Sequence, residues 1–195
     1  WQAPFGGDNC EVFNEDPESC TKYRCQSLGA ACGLLDEGTI GQVCYDANPG
    51  DSTPPILEFG DRDSAEEVNL VITPTGYNLT NINGGCLDAG LLVNIGVTTS
   101  ELAQCKYAFE RMNYENMSFF ESGYRTYEHD ILVPLEDPSH GQSQGINWSG
   151  DLTVYIKCKD AHGNQGPIDP HFYTIGMCVN QGPDTTPPPI YLILP

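Results

Sequence analysis

A chain of 195 residues that is 39% apolar, with ten Tyr and seven Phe, is long and hydrophobic enough to bury a core, which excludes an intrinsically disordered protein. Eight Lys+Arg against 27 Asp+Glu give a net charge of −19; that sign repels polyphosphate backbones and anionic lipid, so nucleic-acid partners are excluded. No apolar run approaches the roughly 18 residues that cross a bilayer, and residue 1 is Trp, so the sequence reads as a secreted chain whose signal peptide has been removed.

Five of the nine cysteines, Cys10, Cys20, Cys25, Cys32 and Cys44, fall within the first 44 residues. They include no C-x-x-C pair and have no paired histidines beside them, so a zinc ribbon is not indicated. A segment of about 50 residues buries too little surface to offset its own chain entropy, and cross-links that restrict the unfolded state substitute for a core. Residues 1–50 therefore read as a disulfide-rich module in an oxidising, extracellular setting. Within it, 19–32 (SCTKYRCQSLGAAC) predicts a short helix pinned by its own cysteines. Nine is odd, so one cysteine of this module is free, joins another chain or has its partner elsewhere. Turn residues at Asn48-Pro49-Gly50-Asp51, followed by Pro54-Pro55, mark the module boundary.

Residues 51–183 read as strands at 56–59, 68–73, 87–98, 103–109, 124–135, 152–159 and 172–179, punctuated by Gly, Pro and Asn. The pattern predicts a mainly β protein: an immunoglobulin-like β-sandwich between the N-terminal module and a C-terminal donor-type strand. Alternation is clearest in 152-LTVYIKCK-159, where Leu152, Val154, Ile156 and Cys158 share the inward face. Cys105 lies 53 residues earlier in another apolar strand, so Cys105 and Cys158 are expected to bridge the two facing sheets, with Cys86 and Cys178 as the second pair. Asn78, Asn116 and Asn147 open N-x-S/T sequons and are the expected glycosylation sites. The acids Asp61, Asp63, Glu66 and Glu67 form either a solvated loop or a place for Ca²⁺; no other cofactor is indicated. His129, His140, His162 and His171 have no partners at metal-ligand spacing, and His162 reads as a loop residue of the turn D-A-H-G-N. No G-x-S-x-G elbow, H-E-x-x-H, P-loop or G-x-G-x-x-G occurs, so the sequence reads as non-catalytic. The aromatic stretch 107–127 suits sandwich core plus an insertion better than a carbohydrate-stacking platform.

The final segment, 184-DTTPPPIYLILP-195, repeats the wording of 51-DSTPPILEFG-60. In the first copy Glu58 gives the strand a polar face. In the second, Ile190, Tyr191, Leu192, Ile193 and Leu194 are all apolar, so both faces call for burial. Giving this strand to a neighbouring molecule supplies that burial, and because donor and acceptor surfaces differ the contact is heterologous and can propagate. The expected partners are thus copies of the same chain in a head-to-tail polymer.

The phrases 20-CTKYRCQSLGAACGLLDEGTIGQVC-44 with NPGDSTPP, 94-NIGVTTSELAQCKYAF-109, 155-YIKCKDAHGN-164 and 178-CVNQGPDTTPP-188 together resemble large secreted surface proteins of DPANN-type archaea. The resemblance implies immunoglobulin-like repeats, each opened by D-x-T-P-P and carrying C-K-x and V/I-x-C-x-D-x-x-G-N phrases. It departs from that pattern in having a single strand after DTTPP. Three functions follow in order: a filament or cell-surface fibre subunit; a processed piece of a multi-repeat adhesin or surface-layer protein that meets cell-surface glycans or proteins; and a secreted carbohydrate-binding domain.

Overall fold

A computed structural model describes residues 2–7, 9–14, 20–39, 42–47, 50–60, 68–120, 127–135, 150–168 and 170–180. The segment 184–195, the sequon of Asn147, His140 and the acids Asp61, Asp63, Glu66 and Glu67 lie outside these residues.

In the N-terminal module a 3-10 turn, Cys10–Phe13, precedes helix α1, Lys22–Leu28. The helix begins where Thr21 Oγ1 accepts the Arg24 amide at 3.3 Å, and it is shorter than the 19–32 stretch expected. The chain then enters β1, Cys32–Leu35, which pairs antiparallel with β2, Val43–Asp46. Neither four-residue strand was among the elements expected in the disulfide-rich module. Asn14 extends the hairpin with its side chain, donating from Nδ2 to the Cys44 carbonyl (2.8 Å) and accepting from the Cys44 amide (2.7 Å). The module's core is sulfur: all five cysteines are at most 5% exposed, with Phe13, Leu28 and Leu34 packed around them. Cys10 is bonded to Cys32, and Cys44 is placed to bond both Cys20 and Cys25. A sulfur carries one disulfide, so these three cysteines share one bridge and the odd sulfur of the chain packs against it.

The remainder is a β-sandwich. One sheet holds β3 (Leu57–Phe59), β6 (Leu92–Thr99) and β9 (Glu128–Pro134), with β6 central. The other runs β4 (Val68–Thr73), β5 (Gly76–Asn81), β12 (Tyr173–Cys178), β10 (Asp151–Asp160), β7 (Ala103–Ala108) and β8 (Ser118–Phe119), with the short β11 (Gln165–Gly166) beside β10. All pairs are antiparallel except β5 with β12. Inward residues Val93, Ile95, Val97 and Val133 of the first sheet meet Leu79, Leu152, Val154, Ile156, Ile175 and Met177 of the second in one buried cluster. Tyr77 spans the layers: its hydroxyl donates to the Gly96 carbonyl (3.0 Å) and accepts the Gly96 amide (3.1 Å), at 2% exposure. The alternation expected for 152–158 is present, with Leu152, Val154, Ile156 and Cys158 all buried.

One expectation is corrected. Cys105 and Cys158 are bonded, but within a sheet and not between sheets: they lie directly opposite each other on neighbouring strands β7 and β10, with Cα atoms 4.0 Å apart. Facing sheets stand about 10 Å apart, too far for that separation, whereas opposed residues of an antiparallel pair come within about 4.5–5.5 Å. The Cys86–Cys178 bridge encloses this one in sequence, with a separation of 92 against 53.

Two predictions follow from the packing. Cys44→Ser removes the only partner shared by Cys20 and Cys25, so it should cost about 2–4 kcal/mol in denaturant unfolding, whereas Cys20→Ser or Cys25→Ser should each leave the alternative bridge and cost clearly less. Equal losses in all three would overturn the shared bridge. Gly76 has φ 151° and begins the parallel run against β12, where a Cβ would collide with the Thr174 carbonyl oxygen. Gly76→Ala should lower stability by about 2–4 kcal/mol, from backbone strain and overpacking combined.

Candidate functional site

The two halves of the molecule meet at a pocket of about 230 Å³. Glu11 enters it from the 3-10 turn, Tyr45 and Asp46 from β2, Asp51 from the D-S-T-P-P phrase, Glu101 and Leu102 from the bend between β6 and β7, and Ala161 and His162 from the turn after β10. Four of these eight lining residues are acids, and none is Lys or Arg.

Each chemical group is set by its local turn. Asp51 Oδ1 accepts from the Thr53 amide (3.0 Å) and the Thr53 hydroxyl (2.7 Å), and this backbone bond is the largest of the causes that hold its carboxyl below the ordinary range. Asp160, 2% exposed at the end of β10, accepts the His162 and Asn164 amides on Oδ1 (both 2.8 Å) and Asn164 Nδ2 on Oδ2 (2.8 Å). Asn164 Nδ2 also donates to the Asp51 carbonyl (3.3 Å). The phrases D-x-T-P-P and D-x-x-G-N are therefore parts of one joint. Gly166 completes it, because a Cβ there would press into Pro54 and the Pro55 carbonyl. His162 Nδ1 lies 3.7 Å from Asp51 Oδ2, and the ring tilts against Tyr45 at 5.9 Å between centroids. Both His162 ring nitrogens are shielded from solvent and lack a hydrogen-bond partner. At the pocket's margin, the Tyr127 hydroxyl donates to both carboxylate oxygens of Glu11 at 2.7 Å, and burial, followed by that bond, pushes its pKa above the ordinary tyrosine range and keeps it protonated.

A second concavity, an open groove of about 520 Å³, lies between β3 and the β4–β5 turn. Its walls are Leu57, Phe59, Ile72, Pro74, Phe172 and Tyr173 together with smaller polar residues. β3 pairs only with β6, and β4 only with β5, so among the described residues each presents an outer edge without a strand partner. Ile72 is 75% exposed there.

Of the aromatic stretch 107–127, residues 107–120 and 127 are described, and several of their rings serve packing. Tyr107 meets Phe120 (5.2 Å) and Phe109 (5.9 Å) edge-on, and Tyr114, Met117 and Phe120 are buried. On the outer face of β7 and β10, the ammonium of Lys106 sits 4.2 Å from the Phe119 ring, that of Lys159 4.9 Å from Tyr114 and that of Lys157 4.5 Å from Phe172, while the Arg111 guanidinium lies 5.5 Å from Tyr155. Of the sequons, Asn116 is exposed at the end of a 3-10 turn, and Asn78 is exposed in mid-β5, its amide lying over Gly176, where any side chain would collide with it. Asp51, Glu101, Asp160 and His162 are brought together although separate sequence phrases carry them. The clue available in the sequence was the acid that opens both D-x-T-P-P and D-x-x-G-N. No helix among the described residues is long and apolar enough to cross a membrane. No known protein family, curated protein or solved structure matches the chain.

Glu101 donates to Asp51, and burial, then the charges of Asp51 and Asp160, push its carboxyl from 4.5 up to about 7. The proton it retains favours the folded state below pH 4.5, and that contribution is lost as pH rises through about 7. Glu101→Gln keeps a donor and removes the charge. It should raise the Tm at pH 8 by the equivalent of about 1 kcal/mol, after allowance for solvent screening, and change it little at pH 4. A variant with the same deficit or gain at both pH values in thermal unfolding would contradict this.

Proposed function

We propose that the protein is a structural subunit of an extracellular filament or cell-surface fibre, joined head-to-tail by strand donation from residues 190–194 of one subunit to an immunoglobulin-like sandwich of the next. The observation that carries this reading is the groove: a largely apolar slot, with Glu58 and His171 among its lining, flanked by two strand edges without strand partners among the described residues, and matched by a segment whose five consecutive apolar side chains, Ile190 to Leu194, need burial on both faces. A guest strand there gains backbone hydrogen bonds from an edge and covers Phe59 and Ile72. Burying five large side chains supplies about 7–15 kcal/mol before the ordering entropy of the segment is subtracted. Pro187, Pro188 and Pro189 hold the approach extended, which lowers that entropy loss. The cysteine bridges fit an extracellular setting.

The repeated D-x-T-P-P phrase favours a second reading, in which the chain is a piece of a multi-repeat surface protein and 184–195 opens the following repeat. Electron microscopy and size-exclusion chromatography separate the two. On the strand-donor reading, wild-type protein forms fibres, while Leu192→Asp with Leu194→Asp, or Ile72→Asp in the groove, gives folded monomers, because buried carboxylates without partners cost several kcal/mol each. A mixture of the tail and groove variants should stop at dimers, since each retains one working surface. Wild-type monomers at all concentrations favour the repeat reading, and fibres undiminished in either variant sink strand donation.

A further inference from the structure

We infer that Asp51, Asp160 and His162 form a binding site for a divalent cation of the Mn²⁺ or Zn²⁺ type, which clamps the D-S-T-P-P phrase that opens the sandwich to the turn after β10, in the pocket that the N-terminal module also lines. Ligand atoms from these three side chains all lie within 4.8 Å of one another. Ligands adjacent on such an ion lie about 3–3.5 Å apart and ligands opposite each other at most about 4.4 Å, so side-chain adjustments of up to about 1 Å complete the set.

The carboxylates alone would be an ordinary acidic surface feature. His162 is the observation that points to a ligand. Its two ring nitrogens are shielded from water, face a pocket lined by acids and have no hydrogen-bond partner. An imidazole so placed has given up its hydration without compensation, unless something in the pocket accepts its lone pair. Asp51 Oδ2 at 3.7 Å is beyond hydrogen-bond range and reaches only Nδ1, which leaves Nε2 without a partner even in the protonated ring. A metal ion bound through one nitrogen uses the lone pair, and the surrounding acids offset the ion's charge.

The supporting groups are those a metal site needs. The two carboxylates are already oriented by donors that are not themselves ligands: Asp51 by Thr53, and Asp160 by the amides of the turn and by Asn164. The lining contains no Lys or Arg to neutralise Glu11, Asp46 and Asp51, so the local field favours a cation. The donor set identifies its class. Ca²⁺ takes six to eight oxygen ligands, whereas one imidazole with carboxylates suits Mn²⁺, Zn²⁺ and neighbouring ions. Asp51 belongs to the phrase that opens the sandwich, and Asp160 and His162 to the end of β10 and the turn after it, so the ion would tie these two segments together where the module's Glu11, Tyr45 and Asp46 face them.

The test uses full-length oxidised protein, stripped with chelator and dialysed, and titrated calorimetrically with Mn²⁺, Zn²⁺ and Ca²⁺ in turn. Mn²⁺ is the decisive probe, because thiolates select softer ions and the cysteine cluster is thereby kept out of the reading. One Mn²⁺ per chain should bind and raise the Tm. His162→Gln and Asp51→Asn should each weaken that binding at least about tenfold, and His171→Gln, an exposed histidine away from the joint, should not. Near-UV circular dichroism and non-reducing peptide mapping establish that each variant is folded. Absence of Mn²⁺ and Zn²⁺ binding at millimolar concentration overturns the site, as does binding that persists undiminished in His162→Gln, or binding of Ca²⁺ alone.

Discussion

The buried carboxylate of Asp160 is the constraint on which the joint depends. A charge that is 2% exposed is tolerable only when it is well hydrogen-bonded, and three N–H donors from His162 and Asn164 take three of its roughly four acceptor sites. Satisfying that one group fixes the turn 160–164, and the fixed turn sets two further positions. It aims Asn164 at the Asp51 carbonyl, which straps the opening phrase of the sandwich to the end of its longest strand. It also delivers His162 into the pocket beneath Tyr45. Removing the carboxylate would free the turn, the strap and the imidazole together, so the joint behaves as a unit and not as a sum of separate contacts.

Much of the architecture was readable because the sandwich obeys the two-residue period. β10 alternates inward Leu152, Val154, Ile156 and Cys158 with outward residues, and the strands at 68–73, 103–109 and 172–179 are where their composition put them. β5 was missed because G-Y-N-L-T-N contains a glycine, two asparagines and a sequon, all turn-like, while only Tyr77 and Leu79 face inward. The bridge between Cys105 and Cys158 was legible as a pair but not as a within-sheet pair, since register between strands 50 residues apart is decided by the whole fold. The joint was least legible. Its residues come from positions 11 to 162, and no periodicity links them; only assembly of the module against the sandwich does.

The chain's charge is distributed as unevenly as its cysteines. Four of its eight basic residues, Lys106, Arg111, Lys157 and Lys159, are held over aromatic rings on one sheet face. Lys106 and Lys157 are at most 4% exposed there, so their charges interact with ring faces in a medium less screening than water. The opposite need appears at the joint, where acids gather without a basic neighbour. In the N-terminal module the Arg24 guanidinium lies 4.3 Å from the Phe13 ring, but sulfur fills the interior, and cross-links hold a hairpin, one short helix and a 3-10 turn that could not bury enough apolar surface unaided.

The nesting of the two sandwich disulfides decides how the chain would respond to a pull on its ends. Tension entering from the N-terminal side passes through β3, β4 and β5 to Cys86, crosses the bridge to Cys178 and leaves, so the strands from β6 to β12 lie outside the loaded path. The bypass spans a sequence separation of 92. At about 3.3 Å per residue, roughly 300 Å of contour is withheld from extension. The inner bridge between Cys105 and Cys158 then keeps β7 and β10 registered inside a block that carries no force itself. Within the sandwich only β3, β4 and β5 can then be peeled away under load, and the stretch from Cys86 to Cys178 acts as a short, nearly inextensible link.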